Sequence, residues 1–198
     1  MDEKRLSQIA ASQKWQPTPD SEITATTDVI TVYGTVRLCW KGNDMVHVRL
    51  AAYDYDANRR TTVRRYMPPH PEGQRLISQM LNYFQGKEIE FDLPIPEGVG
   101  TEVQRKVWQS MIDIGYGNVE TVGDLALRLG LPVSSARGIG QIIGQNPLPI
   151  IFPDHRIVTS TGALTGFAAG IGWKQGLLEL EGVEIKHGKI RVFKTGHF

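Results

Sequence analysis

The sequence has almost no cysteine. A single thiol, Cys39, stands in 198 residues, so no intramolecular disulfide and no cysteine-type zinc site can form. Long apolar runs are missing too. Nothing approaches the ~18 residues of a membrane span. The opening Met1-Asp2-Glu3-Lys4-Arg5 is charged and has no apolar stretch behind it, unlike a secretory leader. Charge of one sign is also lacking. The formal net charge is +1, so contact with a polyanion has to come from a local patch, not from the field of the whole molecule. His47, His70, His187 and His197 are scattered without metal-ligand spacing, so no metal and no cofactor is expected. What remains is ordinary: 40% hydrophobic and 22% charged residues, the make-up of a soluble globular protein. The length suits one large domain or two small ones. A cytoplasmic protein is the expectation, nucleoid-associated in a bacterium or nuclear in a eukaryote.

Residues 1 to about 28 are polar, carry Pro17 and Pro19, and read as a loose leading segment. Residues 29–40 alternate, with Val32, Val36, Leu38 and Trp40 on one side and Thr31, Tyr33, Thr35 and Arg37 on the other. That pattern predicts one half-buried strand with Cys39 half-buried in it. Lys41-Gly42-Asn43-Asp44 is a turn, and Val46, Val48 and Leu50 mark a second strand. An arginine-rich third strand ends near Tyr66. Leu76, Ile77, Met80 and Phe84 recur at helical spacing, with Gly86 as the stop. A break rich in proline and glycine, Leu93-Pro94-Ile95-Pro96-Glu97-Gly98, separates the halves. The domains are set at 1–96 and 97–198, giving an α/β (α+β) chain: a small antiparallel sheet followed by a helical domain.

The second half opens with a capping box, Thr101-Glu102-Val103-Gln104. A helix starts at Thr121, breaks at Gly130-Leu131-Pro132, and is followed by another from Ser134 or Ser135 to Gly144. Two short helices around a glycine-bearing turn form a helix-turn-helix candidate. The last of these buries Ile139, Ile142 and Ile143 and turns Ser134, Arg137, Gly138, Gln141 and Gln145 outward. Each interior glycine of that helix costs about 1 kcal/mol against alanine. Either the backbone packs tightly on a neighbouring helix, or it comes close to nucleic acid with Arg137 as the one long cation. A terminal hairpin is expected over Val183 to Phe193, turning at His187-Gly188.

Residues 146–158 read Asn-Pro-Leu-Pro-Ile-Ile-Phe-Pro-Asp-His-Arg-Ile-Val. The stretch resembles the motif Asn-Pro-x-Pro-Ile-x-x-Pro-Cys-His-Arg-Val of the methylated-DNA–protein-cysteine methyltransferases, also called O6-alkylguanine-DNA alkyltransferases. The resemblance extends over most of residues 84–182, through Tyr83-Phe84-Gln85-Gly86-Lys87, Gln104-Arg105-Lys106-Val107-Trp108 and Leu177-Leu178-Glu179-Leu180-Glu181-Gly182. It implies a ribonuclease H-like N-terminal domain and a winged helix-turn-helix C-terminal domain. It also implies binding of double-stranded DNA through the minor groove, with a base flipped into a pocket and its alkyl group taken by a thiolate. On this resemblance Ser134, Ser135, Arg137, Gly138 and Gln141 are candidate DNA contacts, with Arg137 filling the gap left by the base. Asn146 braces the active-site turn, and His155, Arg156 and Glu181 are the activating network.

The departures from the family pattern cluster at that pocket. Asp154 stands where the reactive cysteine belongs. Val122 and Phe167 replace two tyrosines, and Ala168 follows the second. Val122, Asn146, Pro149, Asp154, Arg156, Phe167, Ala168 and Gly170 are the expected base pocket, and Asp154, His155 and Glu181 hold the positions equivalent to the catalytic ones. Three functions fit. One is a DNA binder that recognises an altered or flipped base without alkyl transfer, as alkyltransferase-like proteins do. The second is an enzyme using Asp154 as general base or nucleophile. The third is a binding remnant with an empty pocket. A monomer, with a repair protein as partner, accompanies the first reading. His155 and Arg156, if they face the pocket, argue that Asp154 is ionised.

Overall fold

The computed structural model describes residues 16–64, 71–91, 93 and 95–191. They fall into two compact units, one spanning Gln16–Val99 and one beginning at Gly100.

In the first unit, strands β1 (Ala25–Thr31), β2 (Gly34–Lys41), β3 (Asp44–Leu50) and β4 (Thr62–Arg64) form an antiparallel sheet in the order β3-β2-β1-β4. The single strand expected over 29–40 is two strands. Thr31 pairs with Gly34, leaving Val32 and Tyr33 as the loop. The Thr31 hydroxyl donates to the Gly34 carbonyl at 2.8 Å and accepts the Tyr33 N–H at 3.1 Å. The alternation hid this turn because its loop residues are strand formers, with no polar turn chemistry to mark them. Residues 25–28, expected to be loose, belong to β1. Cys39 is fully buried, not half-buried. Opposite Cys39 and Trp40 the register skips Val46, a bulge on β3 that leaves its neighbours Met45 and Val46 both buried, while β2 stays in regular register with β1. Tyr66, the expected end of the arginine-rich strand, lies outside the described residues. Helix α1 (Pro71–Tyr83) buries Leu76, Met80 and Tyr83 and is closed by Gly86, at φ +77°, donating to Tyr83.

The second unit is helical. Helix α2 (Glu102–Ser110) begins with the expected box: Gln104 N–H donates to the Thr101 hydroxyl, and Thr101 N–H to the Gln104 side chain. Its Trp108 is fully buried and donates to the Ile142 carbonyl at 2.8 Å. Gly100, at φ +75°, lets the backbone pass against that indole, since a Cβ there would lie 2.4 Å from the Trp108 ring. Helix α3 (Val122–Arg128) is N-capped by Thr121. It ends in a Schellman turn: Leu131 N–H donates to Ala126 and Gly130 N–H to Leu127, with Gly130 at φ +72° and Leu131 buried. A 3-10 turn, Val133–Ser135, then leads into α4 (Ala136–Ile143). Short parallel strands β5 (Glu120–Thr121) and β6 (Ile157–Val158) tie the approach to α3 to the end of the 146–158 segment. Helix α5 (Ile171–Leu180) follows, and a hairpin of β7 (Ile185–Lys186) and β8 (Lys189–Ile190) turns at His187 and Gly188. Both turn residues have positive φ, as a two-residue hairpin loop demands. Val158, Leu164, Leu178 and Ile190 form a local core beneath it. Among the described residues no helix is long and apolar enough to cross a membrane.

Candidate functional site

Helices α3 and α4 with the turn between them form a helix-turn-helix. Ile139, Ile142 and Ile143 anchor α4 inward, while Ser134, Arg137 and Gln141 are exposed. Ser135 faces inward at 4% exposure. Arg137 makes no hydrogen bond or ion pair with a described residue. A Cβ at Gly138 or Gly140 would meet nothing within 4 Å, which removes tight helix packing as the reason for these glycines. The face is open, and its low bulk leaves the α4 backbone approachable from outside.

The segment 146–153 is a tight loop held from within. Asn146 donates through its amide nitrogen to the Phe152 carbonyl at 2.8 Å, and its amide oxygen accepts the Leu148 N–H at 3.0 Å. One side chain thus clamps both limbs. Between them Ile150, 1% exposed, sits at φ +77°. A β-branched residue in that region carries strain of about 1–3 kcal/mol, which the clamp and the surrounding core sustain. The loop delivers Asp154, His155 and Arg156 as a buried 3-10 turn.

Glu181 organises that turn from the far end of α5. The helix closes on a second Schellman turn at Gly182, leaving Glu181 as C-cap. Arg156 grips the Glu181 carboxylate with two bonds of 2.9 Å, the His155 Nε2 lies 2.8 Å from it, and Gly117 N–H donates to it at 3.2 Å. Gly117, at φ +73°, is needed for this approach, because a Cβ would lie 2.9 Å from the Glu181 carbonyl. Burial pushes the Glu181 carboxyl up, but His155 and Arg156 outweigh it and hold the group well below the usual carboxylate range. Burial also lowers the His155 imidazole, against the pull of Glu181.

Asp154 differs from its neighbours. It is 7% exposed, and its Oδ1 has no hydrogen-bond partner among the described residues. Burial pushes its carboxyl up to about 7, against Lys174, Asn146 and the backbone N–H groups of Asp154 and His155. The expectation that His155 and Arg156 would hold it ionised fails on geometry, because both are committed to Glu181. The cation that acts on Asp154 is Lys174, which the sequence reading missed. Lys174 is 1% exposed, and its ammonium donates to the carbonyls of Ile157 at 2.5 Å and Thr165 at 2.7 Å. Burial lowers its pKa to about 8, opposed by Asp154. A signal was present: Lys174 falls among Trp173, Leu177 and Leu178 on the apolar face of α5, where a lysine needs buried acceptors.

The other expected pocket residues are spread around this turn. Pro149 is half-buried in the loop, Phe167 is buried, Ala168 is exposed, and Gly170 caps α5 at φ +95°. Val122 is half-buried. It lines a cleft of about 520 Å³ with Thr121, Asp124, Val133, Val158 and Ser160. Among the described residues no cluster of three or more metal-ligating side chains occurs.

Residues 102–183 match the family described as 6-O-methylguanine DNA methyltransferase, DNA binding domain. The single cysteine, Cys39, lies outside that span. The chain is 33% identical over 148 residues to a methylated-DNA–protein-cysteine methyltransferase of Mycobacterium tuberculosis, covering 75% of this chain and 86% of the relative. It is 42% identical over 105 residues to one from Methanosarcina acetivorans, covering 52% of this chain and 65% of the relative. The crystal structure of Mycobacterium tuberculosis OGT in complex with DNA superposes with a TM-score of 0.61 at 32% identity, covering 78% of this chain and 90% of the other.

Proposed function

The chain belongs to the methylated-DNA–protein-cysteine methyltransferase family, and from that premise we propose that it binds double-stranded DNA and recognises an altered or extruded base without transferring an alkyl group to itself. The observation that carries this reading is the combination at the pocket. The turn that presents the reactive residue is built in full, from the Asn146 clamp to the Glu181–His155–Arg156 network. The residue presented is Asp154, and no cysteine stands anywhere in the matched span. A carboxylate is a weak nucleophile toward an alkyl carbon compared with a thiolate, so recognition survives and transfer is lost. The open face of α4 meets the minor groove, Arg137 occupies the space vacated by the base, and the base reaches Asp154. The protein acts as a monomer and flags the site for a repair protein.

The test is binding to duplexes that carry an extruded base or an abasic position. Arg137→Ala should weaken these more than intact duplex, and salt dependence should be shallow, since the exposed face of α4 offers one cation. Equal loss on both duplexes would make Arg137 a phosphate contact and sink the reading. A second reading rests on the Asp154 carboxyl, which titrates at about 7, where a general base works best. Asp154 would then take the proton of a water attacking the altered base or a small substrate. Release of an alcohol or a dealkylated base over repeated turnovers distinguishes it.

A further inference from the structure

Five ionisable groups are buried around the 3-10 turn and α5: Asp154, His155 and Arg156 on the turn, Lys174 within the helix, and Glu181 at its end. Their charges resolve into two sets. Glu181 is answered by the bidentate Arg156, with His155 alongside. That leaves Asp154 and Lys174. Two Lys174 protons go to the Ile157 and Thr165 carbonyls. An ammonium has a third, with no partner among the described residues. The Asp154 Oδ1 is likewise without one. Ile157 directly follows the turn that carries Asp154, so the bond from Lys174 fixes the ammonium beneath that turn. A lone buried charge is strongly disfavoured, and a buried pair much less so.

We propose that Lys174 is the positioning residue of this pocket, the buried cation that lets Asp154 present an ionised, acceptor-only carboxylate to an extruded base, so that the pocket selects bases offering N–H donors. The donor preference rests on the base-recognition reading above; the pairing of the two side chains does not. An ionised carboxylate accepts hydrogen bonds and repels a carbonyl or ether oxygen. Guanine offers N1–H and its exocyclic amine, whereas O6-alkylation removes the N1 proton, leaving N1 as an acceptor, and turns the O6 carbonyl into an ether. The pocket is thereby tuned away from O6-alkylguanine. The groups facing Asp154 are Lys174 from α5, Asn146 from the loop, and the N–H groups of its own turn. Arg156, His155 and Glu181 are occupied with one another, and burial lowers the His155 imidazole against the pull of Glu181.

Two measurements test this on the intact protein. The first is the infrared carboxyl stretch of Asp154 across pH, isolated by difference against Asp154→Asn, with no DNA present. Its midpoint should lie near 7 in the wild type, move upward in Lys174→Met, and return toward the wild-type value in Lys174→Arg. An unmoved midpoint in Lys174→Met refutes the pairing, whether or not the protein binds DNA. The second is binding to duplexes with guanine or O6-methylguanine opposite an abasic position, so that no base pair competes. Guanine should win by about tenfold, the equivalent of one charge-assisted hydrogen bond, and the margin should widen as pH rises through the Asp154 midpoint. In Lys174→Met the margin should collapse. Should that variant fail to fold, the pH dependence of the wild-type margin decides. A pH-independent margin, or tighter binding of O6-methylguanine, overturns the proposal. Absence of all DNA binding overturns the base-recognition reading and the donor preference that depends on it, while the infrared midpoint still decides the pairing.

Discussion

Replacing Asp154 by asparagine should make the protein more stable, and only at neutral and higher pH. The side chain is 7% exposed, and burial lifts its carboxyl from 3.8 to about 7 even with Lys174 opposing. Between those values the native state keeps a proton that the unfolded chain has released. Stability therefore falls as pH rises from 3.8 to about 7 and stays reduced above that. Three units at about 1.36 kcal/mol each give a ceiling of about 4 kcal/mol for the penalty of holding the carboxylate ionised. The attraction of Lys174 is already contained in that figure, since the lift is what remains after it has acted. Asparagine keeps the shape and removes the charge, so Asp154→Asn should exceed the wild type by up to a few kcal/mol at about pH 8 and match it at about pH 4. Urea denaturation of both proteins at a series of pH values measures the difference directly. A variant less stable than the wild type at alkaline pH, or a gain of the same size at every pH, would refute the reasoning. A charge kept at this cost to stability is what a site residue, not a structural one, is expected to show.

Other outcomes follow from the same geometry. Glu181→Gln should lower stability by about 3–5 kcal/mol, because it leaves Arg156 as a buried cation without its counter-charge. Since Glu181 is held below the usual carboxylate range, its contribution is present above about 4.5 and is lost on acidification, visible as an acid-unfolding limb that the variant lacks. Asn146→Ala should cost about 1–3 kcal/mol by orphaning the Leu148 N–H, while the Phe152 carbonyl keeps the Asp154 N–H, and base recognition should fail with it in the binding assay. Gly100→Ala should cost about 2–4 kcal/mol in thermal or urea unfolding, through strain at φ +75° and collision with Trp108. Incubation with O6-benzylguanine should leave the intact mass unchanged. A stable benzyl adduct on any pocket residue would contradict the loss of transfer.

Much of the second unit was written locally. The Thr101 box, the Gly130 turn, the buried stripe of α4 and the hairpin at His187-Gly188 each depend on neighbours within a few residues, and each reads correctly from sequence. The first unit was less legible. Val32 and Tyr33 form a turn without turn residues, so the alternation ran straight through it, and the full burial of Cys39 depends on what covers the other face of β2, not on its neighbours in sequence. At the site, the motif from Asn146 to Ile157 announced the family and the missing thiol. Chain separation hid the rest: Glu181 lies 25 residues from Arg156, and Lys174 lies 17 residues from the Ile157 carbonyl it bonds. Residue types and local hydrogen bonding determined which side chains the turn presents. Which cation faces Asp154 was decided only when α5 packed against that turn, because burial and charge pairing depend on distance in space and not along the chain.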